Sequence, residues 1–283
     1  FKAIMQELTE QDISGKRCIV RVDYNSSFEN GGIKSVFRIQ KTLPLIDWLI
    51  ENNAKIILIT HIEENNGNTP RLDIFFDFLK KLLPEKIKNN IHYEPSEGTK
   101  ILTEKAKKNI FEMKEKQVIL LDNLRLDAKE EENDTVFSKE LASLGEIFIN
   151  ESFSTSHRKH SSIYGIPQFL PSFPGFNFSS EIKNLSRLLN PSHPFTAVIG
   201  GQKVITKEKV IDKFLNKADF LILGGLMAAE FILAEGFNIG KTSAHKESVE
   251  LIKSRFLNNP KIIIPDKFIV LRGENKVEVE KND

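Results

Sequence analysis

The sequence has little that would place it in an oxidising compartment or a membrane. Its single cysteine, Cys18, cannot form an internal disulfide and lies in an apolar run, which favours a buried thiol. No apolar stretch approaches the roughly 20 residues that span a bilayer. The first residues, FKAIMQELTEQD, do not follow the pattern of a secretory signal. We therefore expect a cytoplasmic protein without a membrane partner.

Neither sign of charge is in excess. The chain has 40 Lys and Arg against 39 Asp and Glu, which gives a formal net charge of +1. Because a nucleic-acid surface needs a basic face, we expect no nucleic-acid partner, and any anion site must be built locally. Hydrophobic residues make up 40% of the 283 residues, which is typical of a globular protein long enough for two domains.

Short apolar runs alternate with segments of helical period. The runs are residues 18–22, 56–60, 118–121, 147–150, 195–199, 220–223 and 261–264. Fully apolar runs of this length are typical of parallel strands that helices cover on both faces. The predicted helices are residues 39–50, 74–83, 135–144, 207–216, 227–235 and 247–257. The alternation predicts an α/β fold with doubly wound, Rossmann-like parallel sheets.

A segment rich in Pro, Gly and aromatic residues, 167–175, interrupts this alternation. A helix-period stretch follows, and a second series of strands begins after it. We therefore divide the chain into an N-terminal domain (residues 1–172), a connecting segment with a helix (173–192) and a second domain (193–283).

Polar side chains follow the predicted strands at their carboxyl ends, where such sheets bind ligands. They are Asp23, Asn25, His61, Arg125, His157 and Arg158, with Arg38 at the start of the first helix. The arginines suit a carboxylate or phosphate. Taken singly, Asp23 and Asn25 fit a turn and the histidines fit structural roles. His157 and His160 are too few for a metal site, and the acidic run 130–132 is interpreted as a solvated loop.

Residues 195–210, FTAVIGGQKVITKEKV, combine a strand, a glycine pair and two lysines. Gly200 and Gly201 would let the backbone approach an anion, and the start of the following helix would offer unpaired N–H groups. Lys203 and Lys207 would lie one turn apart on one helix face. A phosphate site and a tight turn with two solvated lysines both remain open, since short glycine motifs are weakly specific.

Together these motifs resemble the phosphoglycerate kinase family. The matching pieces are Arg21-Val22-Asp23-Tyr24-Asn25, Arg38-Ile39, Thr60-His61, Asp122-Asn123-Leu124-Arg125, Asn150-Glu151-Ser152-Phe153, His157-Arg158-Lys159-His160-Ser161-Ser162, Gly200-Gly201-Gln202-Lys203-Val204 and Gly224-Gly225-Leu226-Met227. Their order and spacing agree along almost the whole chain. The resemblance implies an N-terminal domain for 3-phosphoglycerate, a nucleotide domain and a hinge between them.

By position, the resemblance assigns Asp23, Asn25, Arg38, His61, Arg125, His157 and Arg158 to 3-phosphoglycerate. It assigns Gly200, Gly201, Lys203, Lys207, Gly224 and Gly225 to the nucleotide. The implied reaction is reversible phosphoryl transfer between 1,3-bisphosphoglycerate and ADP, with Mg²⁺ accompanying ATP or ADP and with Arg38 and Lys207 as catalytic residues. We expect a monomer whose partners are these small molecules.

The sequence departs from the family pattern in two places. After the second strand the family reads His-Leu-Gly-Arg-Pro, whereas this chain reads His61-Ile62-Glu63-Glu64-Asn65, so Glu64 replaces an arginine that contacts phosphate. The chain also ends at Asp283, before the family's ribose-binding and magnesium-facing segments. We therefore expect the second domain to be incomplete, no metal ligands in this chain and negligible turnover by this chain alone.

The main alternative is a non-catalytic binding module of the same family, because Glu64 and the missing nucleotide segments would both weaken catalysis. A third reading is a doubly wound domain that binds a nucleotide or sugar phosphate for another purpose. That protein would bind nucleotide without any effect of 3-phosphoglycerate.

Overall fold

The computed structural model describes residues 8–25, 28–29, 32–33, 35–63 and 67–280. The chain divides into two compact units, unit 1 (Phe1–Leu185) and unit 2 (Ser186–Asp283). This division falls within the segment 173–192 that we assigned to the connection. The bounds of the domains and the hinge themselves stay predictions.

Unit 1 alternates strands and helices. Its strands are β1 (Arg17–Arg21), β2 (Phe28–Glu29), β3 (Gly32–Ile33), β4 (Lys55–Ile59), β5 (Ile91–Glu94), β6 (Val118–Leu121), β7 (Ile147–Asn150) and β8 (Ser172–Pro174). Its helices are α1 (Glu10–Ile13), α2 (Phe37–Glu51), α3 (Asp73–Leu82), α4 (Glu85–Lys88), α5 (Glu104–Phe111), α6 (Lys129–Glu132), α7 (Thr135–Ser143) and α8 (Phe176–Ser186). Short turns of 3₁₀ or π type follow β6 (Leu124–Leu126) and β7 (Phe153–Thr155, Ser161–Gly165).

Six of these strands form one sheet in the order β5-β6-β4-β1-β7-β8. All neighbouring pairs in it are parallel. The next strand of this sheet along the chain after β1 is β4, on one side of β1, whereas β7 lies on the other side. Chain connections therefore change direction at β1, and such a point is where open α/β sheets bind ligands beyond the strand ends.

Alternate residues of the central strands pack on opposite faces of this sheet. Val20 and Leu58 belong to one buried cluster, which includes Leu45 of α2. Ile19 and Ile57 belong to a second cluster, which includes residues of α5 and α7. Because successive strand side chains point to opposite faces, the sheet needs cover on both. The prediction of a parallel sheet covered on both faces is confirmed for unit 1.

Unit 2 contains a second, smaller parallel sheet. Its elements are β9 (Thr196–Gly201), α9 (Glu208–Leu215), β10 (Phe220–Gly225), α10 (Leu226–Ala234), α11 (Lys246–Leu251), β11 (Ile262–Ile263), β12 (Lys267–Arg272) and β13 (Asn275–Glu280). The sheet order is β11-β10-β9, and β12 and β13 form an antiparallel hairpin. The α/β fold class with parallel sheets is therefore confirmed.

One face of the second sheet is exposed within the described residues. Leu221 and Leu223 are fully buried against the helices of unit 2. Val198 and Phe220, which point the other way, are 73% and 45% exposed. Cover on both faces, expected from the sequence, thus holds for the first sheet only. Within the same described ranges, every helix is too short or too polar to serve as a membrane span.

The first turn of helix α8 is hydrogen-bonded to a buried carboxylate. Both carboxylate oxygens of Glu151, which follows β7, accept the backbone N–H of Asn177 at 3.0 Å. Glu151 is 1% exposed, and burial raises its pKa to about 7. A Cβ on Gly175 would lie 2.1 Å from Glu151 Oε2, so any larger residue there would displace the carboxylate. The first turn of α8 is therefore fixed to the end of β7.

We predict that Glu151→Gln flattens the pH dependence of stability. The folded-state pKa lies above the unfolded value of 4.5, so the folded state holds the proton longer. Stability is then lost as pH rises from about 4.5 through 7, by up to about 3 kcal/mol. Denaturant unfolding of unit 1 can be followed by Trp48, whose ring lies 5.3 Å from Phe176 at the start of α8.

The matched control is Glu140→Gln, which removes an exposed carboxylate from α7. This variant should keep the wild-type pH slope. A Glu151→Gln protein with the same slope as wild type between about pH 5 and 8 would contradict the assignment.

Candidate functional site

Asp23 connects the end of β1 to helix α2 and to the turn after β7. Its Oδ2 accepts hydrogen bonds from Arg38 Nη1 at 2.5 Å and from Ser154 Oγ at 2.6 Å. Arg38 lies in the first turn of α2, and Ser154 in the turn after β7. The Arg38 side chain remains 44% exposed. Its guanidinium is thus held in place yet accessible to an anion from solvent.

His61, beyond the end of β4, is 1% exposed and contacts two groups from the β1 end. Arg21 Nη2 lies 2.8 Å from His61 Nδ1. Because a guanidinium can only donate, Nδ1 must accept and the ring proton lies on Nε2. Asn25 Nδ2, another donor, lies 3.4 Å from Nε2. The Nε2–H group therefore faces a second donor and finds no acceptor on that amide nitrogen.

Arg21 is the residue of this cluster that the sequence analysis did not assign. Its side chain is 2% exposed, its Nε donates to Ser162 Oγ at 3.0 Å and its Nη1 donates to the Val22 carbonyl at 2.6 Å. Ser162 in turn donates to Glu130 Oε1 at 2.5 Å. A signal was present, because an arginine inside an apolar strand must be paired when it is buried.

The positive charges near His61 act against its protonation. Burial is the main cause that lowers its pKa, to about 2, and Arg21, Arg125 and Arg158 contribute in the same direction. Burial also lowers the pKa of Arg21 to about 10, which leaves it a cation at neutral pH. The site therefore combines a neutral imidazole with several fixed cations.

Arg125, after β6, is buried with 6% of its side chain exposed. Its Nη1 binds Glu63 Oε1 at 2.6 Å and also pairs with Glu131. Among the described residues, its Nη2 is buried without a hydrogen-bond partner. Asn123 Oδ1 accepts the backbone N–H of Arg125 at 3.2 Å, which fixes the turn that carries it. An unpaired buried donor of this kind is what an oxyanion ligand would satisfy.

Arg158 and His157 lie in the loop after β7. The charge of Arg158 acts on both His61 and Arg21, so it belongs to the same cationic region. His157 is exposed, and no side-chain contact joins it to the cluster within the described part of the chain. The structure thus brings Asp23, Asn25, Arg38, His61, Arg125 and Arg158 together and leaves His157 at the surface.

The interpretation of residues 130–132 as a solvated loop was wrong. Glu130 is 1% exposed and binds Ser162 through both its carboxylate oxygens, and Glu131 pairs with Arg125. The run forms the short helix α6 rather than a loop. The reason is electrostatic, because the buried cations Arg21 and Arg125 need anionic neighbours.

In unit 2 the two glycine pairs lie side by side. Gly200 and Gly201 of β9 are in register with Gly224 and Gly225 of β10. Gly225 has φ +64°, and an added Cβ would lie 3.7 Å from the Gly201 carbonyl oxygen. The absence of side chains leaves backbone exposed at the carboxyl ends of both strands, which is an arrangement suited to a phosphate.

Lys203 and Lys207 both follow the glycine pair of β9, but they do not share one helix face. Helix α9 begins at Glu208, with Lys207 as its N-cap and as the last residue of a 3₁₀ turn (Ile205–Lys207), whereas Lys203 lies before that turn. The prediction of both lysines on one helix was therefore wrong. An added Cβ on Gly201 would lie 3.9 Å from Lys207 Cε, which places the Lys207 stem beside the glycines.

Glu230 of α10 organises the turn that carries the lysines. It is fully buried and accepts the Val204 N–H at 2.8 Å, while Ser248 Oγ accepts the Ile205 N–H at 3.3 Å. These two N–H groups, which precede the start of α9, are thus used within unit 2. The sequence analysis also missed Glu230, which lies in an otherwise apolar helix.

Comparison with known proteins decides the family. The family profile named Phosphoglycerate kinase matches residues 8–283. The phosphoglycerate kinase of Finegoldia magna is 36% identical over 270 residues, covering 94% of this chain and 68% of that protein. This chain belongs to the phosphoglycerate kinase family. The resemblance drawn from the sequence motifs is confirmed.

Further relatives and solved structures agree with this membership. The phosphoglycerate kinase of Coprothermobacter proteolyticus is 35% identical, covering 98% of this chain and 70% of that protein. That of Clostridium kluyveri is 39% identical, covering 87% and 62%. The structure of the Pyrococcus horikoshii phosphoglycerate kinase has a TM-score of 0.81 at 29% identity and covers 98% of this chain and 71% of that one. The chain thus spans about two thirds of these family members.

Glu64, at which the sequence analysis found a departure from the family pattern, lies outside the described residues. Among the residues described, no group of three or more His, Cys, Asp or Glu side chains is arranged to hold a metal ion.

We predict that His61 stays neutral between about pH 5 and 8, with its proton on Nε2, as the donation from Arg21 requires. Nitrogen-15 NMR of the imidazole, assigned by the signal lost in His61→Gln, checks this. Because the folded-state pKa lies below the unfolded value, the stability that His61 contributes is present above about pH 6.5 and is lost as pH falls. A titrating His61, or a proton on Nδ1, would refute the tautomer.

Proposed function

We propose that the protein catalyses reversible phosphoryl transfer between 1,3-bisphosphoglycerate and ADP, giving 3-phosphoglycerate and ATP. Unit 1 would bind the phosphoglycerate and unit 2 the nucleotide. The observation that carries the proposal is the cationic cluster at the ends of β1, β4, β6 and β7, which contains the buried Nη2 of Arg125, a donor with no partner in the described part of the chain. Membership of the phosphoglycerate kinase family supports the assignment of the reaction.

In unit 1, the arginines would bind the substrate as an anion. Arg125 Nη2 and the Arg158 guanidinium would take the phosphate, because both are cations that the described contacts leave with donors to spare. His61 Nε2–H and Asn25 would orient the rest of the molecule. Asp23 would hold Arg38 in place through the contact at 2.5 Å, and His157 would contribute from the rim.

In unit 2, exposed backbone at Gly200, Gly201, Gly224 and Gly225 would accommodate the nucleotide, with Lys203 and Lys207 near its phosphates. Mg²⁺ would enter the site together with ATP or ADP, bound to the nucleotide phosphates. Bound in this way, Mg²⁺ would neutralise phosphate charge.

The chemistry needs no general base. The nucleophile in the ATP-consuming direction is a carboxylate, which is ionised at neutral pH. Catalysis then depends on alignment and on cations that stabilise the moving phosphoryl group. We assign these roles to Arg38 and Lys207. Because they belong to different units, the proposal requires the units to close on the substrates, which would also exclude water.

We predict that Arg38→Ala and Lys207→Ala each lower the turnover of the whole gene product by about 100-fold in a coupled assay. The matched controls are Lys41→Ala on α2 and Lys209→Ala on α9, which remove exposed cations from the same helices and should stay within about twofold. Activity of either site variant within about tenfold of wild type, 1.4 kcal/mol of barrier, would contradict the roles.

Calorimetric titration with 3-phosphoglycerate and with nucleotide, read beside this assay, separates the alternatives drawn from the sequence. A whole gene product that binds 3-phosphoglycerate but shows no turnover would favour the non-catalytic module. A product that binds nucleotide, with no effect of 3-phosphoglycerate, would favour a doubly wound domain of another function.

A further inference from the structure

One terminal nitrogen of Arg125 is already paired with carboxylates of the protein. Glu63 Oε1 lies 2.6 Å from Arg125 Nη1, and Glu131 pairs with the same nitrogen. The arginine side chain is 6% exposed, so its charge is poorly screened. Its other terminal nitrogen, Nη2, has no partner among the described residues. One half of the guanidinium is thus neutralised internally and the other half is left for a ligand.

The two carboxylates that share Nη1 differ in their surroundings. Glu63 follows β4 directly, and its N–H donates to Asn25 Oδ1 at 3.0 Å, so its backbone is fixed among the groups proposed to bind substrate. Its side chain is 34% exposed and can turn away into solvent. Glu131 lies on α6, beside the buried Glu130, and belongs to the scaffold behind Arg125.

We infer that Glu63 is a specificity-determining residue that competes with the substrate phosphate for Arg125. This inference rests on the proposed function of unit 1 as the 3-phosphoglycerate site. A bound phosphate must displace the Glu63 carboxylate or accept it as a like-charge neighbour, and either lowers affinity. Replacing the Glu63 carboxylate by another monoanion changes the electrostatic energy at Arg125 little. A phosphate dianion, in contrast, brings a second negative charge to Arg125. Glu63 therefore excludes small monoanions such as chloride from this position.

The test is calorimetric titration of the 283-residue chain with 3-phosphoglycerate. Glu63→Gln should bind about five- to tenfold more tightly than wild type, because the competing charge is gone while the side-chain shape is kept. The matched control is Glu132→Gln, which removes an equal charge from the exposed end of α6. The control should stay within about twofold of wild type.

A second measurement, the chloride dependence of the dissociation constant, is insensitive to small changes in the shape of the side chain at position 63. In wild type the phosphate displaces a side chain, whereas in Glu63→Gln it displaces chloride from Arg125. The dissociation constant should therefore rise more steeply with chloride concentration in Glu63→Gln than in wild type. Glu63→Ala should give the same steeper slope, and thermal unfolding of each variant shows that it is folded.

Each result bears on the inference. Tighter binding and a steeper chloride slope in both Glu63 variants support it. If wild type binds and the variants bind equally or more weakly, the inference fails while the proposed function of unit 1 stands. Glu63 would then support Arg125 rather than compete for it. Absence of binding by wild type and variants alike overturns the proposed function of unit 1 and the inference with it.

Discussion

The buried guanidinium of Arg21 is the interaction on which the candidate site of unit 1 depends. It donates to His61 Nδ1 at 2.8 Å and to Ser162 Oγ at 3.0 Å, and so links the end of β1 to the end of β4 and to the turn after β7. A charge this deeply buried is tolerable only when its donors are satisfied and an anion lies near. Glu130, bound to Ser162, supplies that anion.

The same constraint explains why acidic residues occur in an anion site. Arg21 and Arg125 are nearly inaccessible to solvent, so each carries its own carboxylates, Glu130 for the first and Glu63 and Glu131 for the second. Arg38 lies nearer the solvent and shares Asp23 with Ser154. Arg21, Arg38 and Arg125 therefore each lie near an anion of the protein, and an anionic ligand at this site would replace or extend existing pairs.

Much of this was predictable because parallel strands have a simple sequence signature. The runs that became β1, β4, β6, β7, β9 and β10 were identified, and the polar residues after them were expected to converge. The edge strands of the first sheet were missed: β5 reads IHYE and β8 lies in a proline-rich segment, so neither has the apolar run of a central strand. The hydrogen-bond partners of the buried residues Arg21, Glu130 and Glu230 were also missed, because tertiary contacts decide which groups surround a buried charge.

The central claim is that Arg38, Arg125, Arg158 and His61 form one anion site. A nitrogen-15 NMR titration of the chain with 3-phosphoglycerate, observing arginine Nε–H and histidine Nε2–H resonances, tests it most directly. We predict that these four side chains shift together along one saturating curve, while the Nε–H of Arg17, at the opposite end of β1, stays unchanged. Unchanged Arg38 and Arg125 resonances at saturation, or curves with separate midpoints, would contradict it.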